Sequence, residues 1–174
     1  SLNQGIGHYL SNNLLFTNKK ETLLPFDDSD IRLDKFDLSQ NGRNSSNFII
    51  SEDIFLSLTY TTKRNNLGLR IGFDLRDDSS EMVIFRSFND DNESIIFSEN
   101  AVNFSTAKIP GNLLKPGNYS IVLAIGIHNV RWISHEAISI QFCLTNIDGI
   151  NKNYADNRPG VIMPRIEWKH IINK

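Results

Sequence analysis

The 174-residue chain has one cysteine, Cys143, so no internal disulfide can form. That excludes the small oxidised scaffolds in which cross-links stand in for a core, and it favours a reducing compartment. Cys143 lies within the alternating run Ile138 to Leu144 and reads as a small strand hydrophobe rather than a nucleophile. A surplus of charge is also lacking. The formal net charge is -2 and the pI about 6.1, with Lys and Arg scattered rather than striped, which argues against nucleic-acid binding. No stretch approaches the ~18 consecutive apolar residues of a membrane span, and no signal-peptide pattern opens the chain.

Catalytic constellations are missing too. There is no Gly-x-x-x-x-Gly-Lys-Ser/Thr phosphate loop, Gly5-Ile6-Gly7 is too short for a dinucleotide site, and no Gly-x-Ser-x-Gly elbow appears. The histidines His8, His128, His135 and His170 lack metal-ligand spacing. His128 and His135 can converge across a hairpin, but polar loop residues are the simpler reading, and neither a metal nor a cofactor is expected. The acidic clusters Asp27-Asp28-Ser29-Asp30 and Asp90-Asp91-Asn92-Glu93 do not fit a calcium-binding ladder and read as solvated turns. No carboxylate pair is singled out by spacing, which leaves a sandwich-fold glycosidase without positive support.

What is present is a succession of short strands. From about Asp30 onward, apolar residues recur every second position between turns rich in Asn, Asp, Ser, Gly and Pro. Ile31 to Leu38 opens the series. Ile54, Leu56, Leu58 and Tyr60 alternate with polar neighbours, as do Leu69, Ile71, Phe73 and Leu75 against Arg70, Gly72, Asp74 and Arg76. Met82 to Phe88 follows a polar turn, and Val102, Phe104 and Thr106 continue the alternation towards Ile109. In Leu114-Lys115-Pro116-Gly117-Asn118-Tyr119, Pro116 presets one turn residue and Gly117 offers positive φ to the next, before Tyr119, Ile121, Leu123 and Ile125 line one face. Ile138, Ile140, Phe142 and Leu144 make a further strand, with Ser139, Gln141 and Cys143 opposite.

These features predict an all-β fold, an immunoglobulin-like or jelly-roll antiparallel β-sandwich, of a size that buries roughly 70% of its unfolded surface without staples. The organisation expected is residues 1–29 as an N-terminal arm or linker and residues 30–174 as the sandwich. The start at Ser1 reads as a piece of something longer. Asn146 to Pro159 is a polar loop, and Val161 to Trp168 reads as a last strand interrupted by Pro164, hence an edge.

The segments Glu52 to Tyr60, Leu69 to Leu75, Leu114-x-Pro116-Gly117-x-Tyr119 and the closing Pro159-Gly160-Val161 with Pro164 and Trp168 carry a resemblance. Over roughly Asp30 to Trp168 the chain resembles the carbohydrate-binding domain at the C-terminal end of the ATPase subunit of ABC transporters that export O-antigen polysaccharide. The resemblance implies a non-catalytic domain that recognises the modified non-reducing end of a lipid-linked glycan and so selects it for export. It also implies a cytoplasmic position beside a membrane permease, and a homodimer in which the strand from Val161 to Trp168 is exchanged.

A sugar offers hydroxyls to planar polar groups and C–H faces to aromatic rings. The glycan-binding candidates are therefore the outward Arg70 and Asp74, Arg86 and Phe88 on the next strand, His128, Arg131 and Trp132 in the following loop, and Gln141. Each has a plainer alternative: Trp132 as a plug at the end of the core, Arg70 with Asp74 as a simple salt bridge. Arg86 and Arg131 suit an anionic cap, which guanidinium forks hold bidentately, more than a neutral one. A structural or adhesion sandwich that uses its faces for protein contacts is the competing function.

Overall fold

A computed structural model describes residues 24–64, 68–91, 99–147, 159–164 and 166–170, with the side chains of His135 and Glu136 excepted. Residues 1–23, most of the 146–159 loop, the end of the acidic run at 90–93 and the convergence of His135 with His128 thus lie outside the described residues. Among the described residues, ten strands form two sheets. One contains β1 (Phe26–Asp27), β2 (Ile31–Gln40), β3 (Arg43–Asn44), β5 (Ile54–Thr62) and β8 (Ala101–Ile109), in the order β1-β2-β5-β8 with β3 also paired to β2. The other contains β4 (Asn47–Ile49), β6 (Leu69–Asp77), β7 (Met82–Phe88), β9 (Gly117–Ile127) and β10 (Arg131–Thr145), in the order β4-β10-β9-β6-β7. Every pairing is antiparallel except β4 with β10. The all-β sandwich is thus observed, and its first strand starts at Phe26, ahead of the boundary expected at Asp30.

The two-residue periodicity does what it predicts on most strands. Ile54, Leu56, Leu58 and Tyr60 from β5 face Leu69, Ile71, Phe73 and Leu75 from β6 and Tyr119, Ile121, Leu123 and Ile125 from β9, all buried in one core. Each such side chain contributes about 1.5–3 kcal/mol of burial free energy. On β8 the alternation runs the other way: Val102 and Phe104 point out, 60% and 78% exposed, while Ser105 reaches in to hydrogen-bond Tyr60. The register with β5 decides this, because Phe104 pairs with the outward Thr59 and Ser105 with the inward Leu58.

The turns depart from expectation in one respect. Gly117 does not take positive φ; it is the first residue of β9, and Asn112 takes the left-handed conformation instead (φ 57°). Asn41 and Gly42 are both left-handed and close the β2–β3 hairpin, as a two-residue Asn-Gly loop requires. The sequence around Pro116 has another purpose. The buried Tyr119 hydroxyl donates to the Lys115 carbonyl, 2.9 Å away, and its ring stacks on Phe142. A tyrosine bonded back to the chain just before its own strand is a corner found in immunoglobulin-like sandwiches. Burial pushes its hydroxyl pKa to about 12.

The described residues of the closing segment make a single bridge rather than a strand. Ile162 pairs with Leu114, with bonds from Lys115 N to Val161 O and from Met163 N to Leu113 O. Ile166 and Trp168 are exposed.

Candidate functional site

The outer face of the β4-β10-β9-β6-β7 sheet is built from the residues that alternate away from the core. Across β6 and β9 these are small or anchored: Arg70 pairs in register with Gly126, Gly72 with Ala124, and Asp74 with Val122. The neighbouring strands then place large side chains over this floor. Phe88 of β7 lies so close to Gly72 that an added Cβ would stand 2.5 Å from its ring. Trp132 of β10 lies similarly over Gly126, at 3.0 Å. Two glycines on adjacent strands thus seat two aromatic rings.

Between these rings is a cavity of about 440 Å³ lined by Arg70, Arg86, Phe88, His128, Arg131 and Trp132 together with the hairpin from Gly126 to Val130. The structure therefore brings most of the expected residues to one place. Trp132 is 49% exposed and belongs to the cavity wall, not to the end of the core. It and Arg131 are also the first residues of β10; the connecting turn ends at Val130. A second cavity of about 460 Å³ opens between the sheet edges at β7 and β8, where core residues such as Leu56, Leu58, Ile71 and Phe73 line it together with polar ones such as Ser87, Asn89, Ser105 and Thr106.

Asp74 does not line the cavity. It is buried beneath it and grips Arg86 through Nε at 2.5 Å and Nη2 at 2.8 Å. Those hydrogen bonds hold the Asp74 carboxyl below its ordinary pKa, against the opposing effect of burial, and raise that of Arg86. The Arg86 guanidinium lies over the Trp132 ring, 5.5 Å from its centroid. Arg70 is not paired with Asp74. Its Nε donates to Asp90 at 2.6 Å, its Nη1 to Nδ1 of His128 at 3.1 Å, and its guanidinium covers Phe88 at 5.3 Å. Because a guanidinium only donates, Nδ1 of His128 is the acceptor in that contact.

Arg131 is held by Asp28 and Asp30, each 2.6 Å from Nη2. Both carboxyls are shifted below the ordinary value, first of all by the Arg131 hydrogen bonds. Gln141 lies elsewhere. It sits nine positions along β10 from Trp132, pairs with Ser120 and donates to Asp78 at 3.3 Å. Asp78 is also bound by the Ser120 hydroxyl, so Gln141 belongs to a separate polar cluster.

Several participants escaped sequence reasoning. Asp28, Asp30 and Asp90 read as solvated turn residues, yet they are the partners of Arg131 and Arg70. Gly72 and Gly126 carried a readable signal: glycine in a strand marks close approach of another group. Among the described residues, no group of three His, Cys, Asp or Glu side chains is placed to hold a metal ion. Nor is any helix there long and apolar enough to cross a membrane.

No family model and no curated protein matches the sequence. Comparison with solved structures finds a likeness to the C-terminal domain of Wzt with a TM-score of 0.60, 11% identity, and coverage of 87% of this chain and 93% of that one. The fold is that of the Wzt C-terminal domain. Looser likenesses, both with a TM-score of 0.39, are to a CARDB domain from Pyrococcus furiosus solved with di-metal ions (6% identity, 70% of this chain and 97% of that one) and to a Listeria innocua β-glucosidase mutant in complex with laminaribiose (9% identity, 64% of this chain and 16% of that one). At 11% identity, what is shared with the Wzt domain is the fold.

Proposed function

We propose that this chain is a non-catalytic glycan-binding domain that recognises the modified non-reducing end of a lipid-linked O-antigen polysaccharide and selects it for export by an ABC transporter. The observation that carries this reading is the pairing of half-exposed aromatic rings with guanidinium groups around one cavity on a sheet face. Trp132 and Phe88 offer surfaces to C–H faces of a sugar, while Arg70, Arg86, Arg131 and His128 offer hydrogen bonds to its hydroxyls. Asp74 acts through Arg86 as a positioning residue. The shared fold with the Wzt C-terminal domain supports the transporter setting, at the cytoplasmic side beside a permease. The exposed Ile166 and Trp168 support a homodimer in which the segment from Val161 to Trp168 meets a second copy.

The test is calorimetric titration with capped polysaccharide and with the same polymer lacking its terminal modification. Binding of the capped form alone is expected, and equal binding of both sinks the reading. Trp132→Ala should weaken that binding roughly tenfold, the scale of one lost stacking contact, with an unchanged melting temperature. The competing structural or adhesion reading draws on the outward Val102 and Phe104 of β8. It predicts instead that alanine at Arg70, Arg86, Arg131 and Trp132 disturbs assembly and leaves glycan binding absent throughout.

A further inference from the structure

We propose that this cavity takes an uncharged glycan terminus and discriminates against anionic caps, an inference that rests on the glycan-binding reading above. The guanidinium groups suggest the opposite at first sight, since three of them line one cavity. Each is already engaged. Arg70 pairs with Asp90, Arg86 with Asp74, and Arg131 with both Asp28 and Asp30. Arg76 adds a cation 3.5 Å from Asp74, so that in these ion pairs four guanidinium groups face four carboxylates.

An incoming carboxylate or phosphate would therefore meet guanidinium groups whose charge is already balanced by aspartates outside the cavity lining. Arg86 can turn its Nε–Nη2 fork to an anion only by releasing Asp74, a buried carboxylate that would then keep only Arg76, 3.5 Å away. Arg70 faces the same conflict over Asp90. A neutral sugar does not. Its hydroxyl oxygens accept an N–H from an arginine without displacing the aspartate that holds it.

The unused hydrogen-bonding capacity fits that ligand. Among the described residues, Arg86 Nη1 and Arg70 Nη2 make no hydrogen bond, which leaves donors for hydroxyl oxygens. Trp132 and the exposed Val130 add apolar surface beside them. Guanidinium groups locked by carboxylates and lying over aromatic rings thus act as fixed hydrogen-bond donors rather than as an anion trap.

The experiment is titration of the chain with oligosaccharides terminated by a neutral, O-methylated hexose, and with matched ones terminated by the corresponding hexuronate or hexose phosphate. Binding of the hexose-terminated members is expected, with an affinity that changes less than about twofold between about 0.05 and about 0.5 M salt. Tighter binding of the uronate or phosphate members, weakened by salt, overturns the inference and leaves the glycan-binding reading standing. Absence of binding to every member overturns both. Asp90→Asn should release Arg70 and raise affinity for the uronate-terminated member roughly tenfold, the scale of one charge-assisted contact. No gain in a folded variant counts against the pairing as the source of selectivity, and the wild-type comparison tests the inference without any variant.

Discussion

The floor of the site depends on having no side chain at Gly72. The Cβ of an alanine there would stand 2.3 Å from the Ser87 carbonyl oxygen and 2.5 Å from the Phe88 ring, so either the β6–β7 pairing or the ring must move. Gly72→Ala should therefore cost about 1–3 kcal/mol of stability, the range of an overpacked site. Chemical denaturation measures it, and an unchanged midpoint would refute the close packing. That Arg70 and Asp74 face away from the core was legible from alternation alone. Their partners were not. Arg70 reaches an aspartate twenty residues on and Arg131 one 101 residues back, separations that no local pattern encodes.

At the scale of elements, the Arg131 cluster ties the start of β10 to the turn between β1 and β2, and so joins the two sheets beside the cavity. The carboxyls of Asp28, Asp30 and Asp74 all titrate below their ordinary value of 3.8 in the folded chain. Folding therefore favours their ionised forms. The stability they supply is complete above pH 3.8 and is lost as pH falls through the depressed folded values. Urea unfolding between about pH 6 and about pH 2 should show a steep loss in that acid window. In Arg131→Ala, where Asp28 and Asp30 lose their main partner, the curve should start lower and fall less steeply. Equal slopes for the two proteins would show that the cluster does not join the sheets. Strand positions were readable here; β7 has the bounds expected from its sequence. The direction in which β8 faces was not, because pairing with β5 outweighs the preference of Val102 and Phe104 for burial.

For the molecule as a whole, core and site share strands but use opposite faces of them. Leu123 is buried on the inner side of β9, next to Val122 and Ala124 on the outer side. Leu123→Ala should cost about 2–5 kcal/mol, as core truncations do, while unfolding stays a single transition because both sheets bury one common core. Two separated thermal transitions would contradict that unity. The sequence by itself determined the class of fold, most strand positions and the identity of the outward arginines and aromatics, because each follows from a two-residue period or a nearby turn. Only the tertiary structure decided which carboxylate neutralises which arginine, which glycine seats which ring, and that Gln141 lies apart from the rest. Those depend on strand order and register, which bring together residues far apart in the chain.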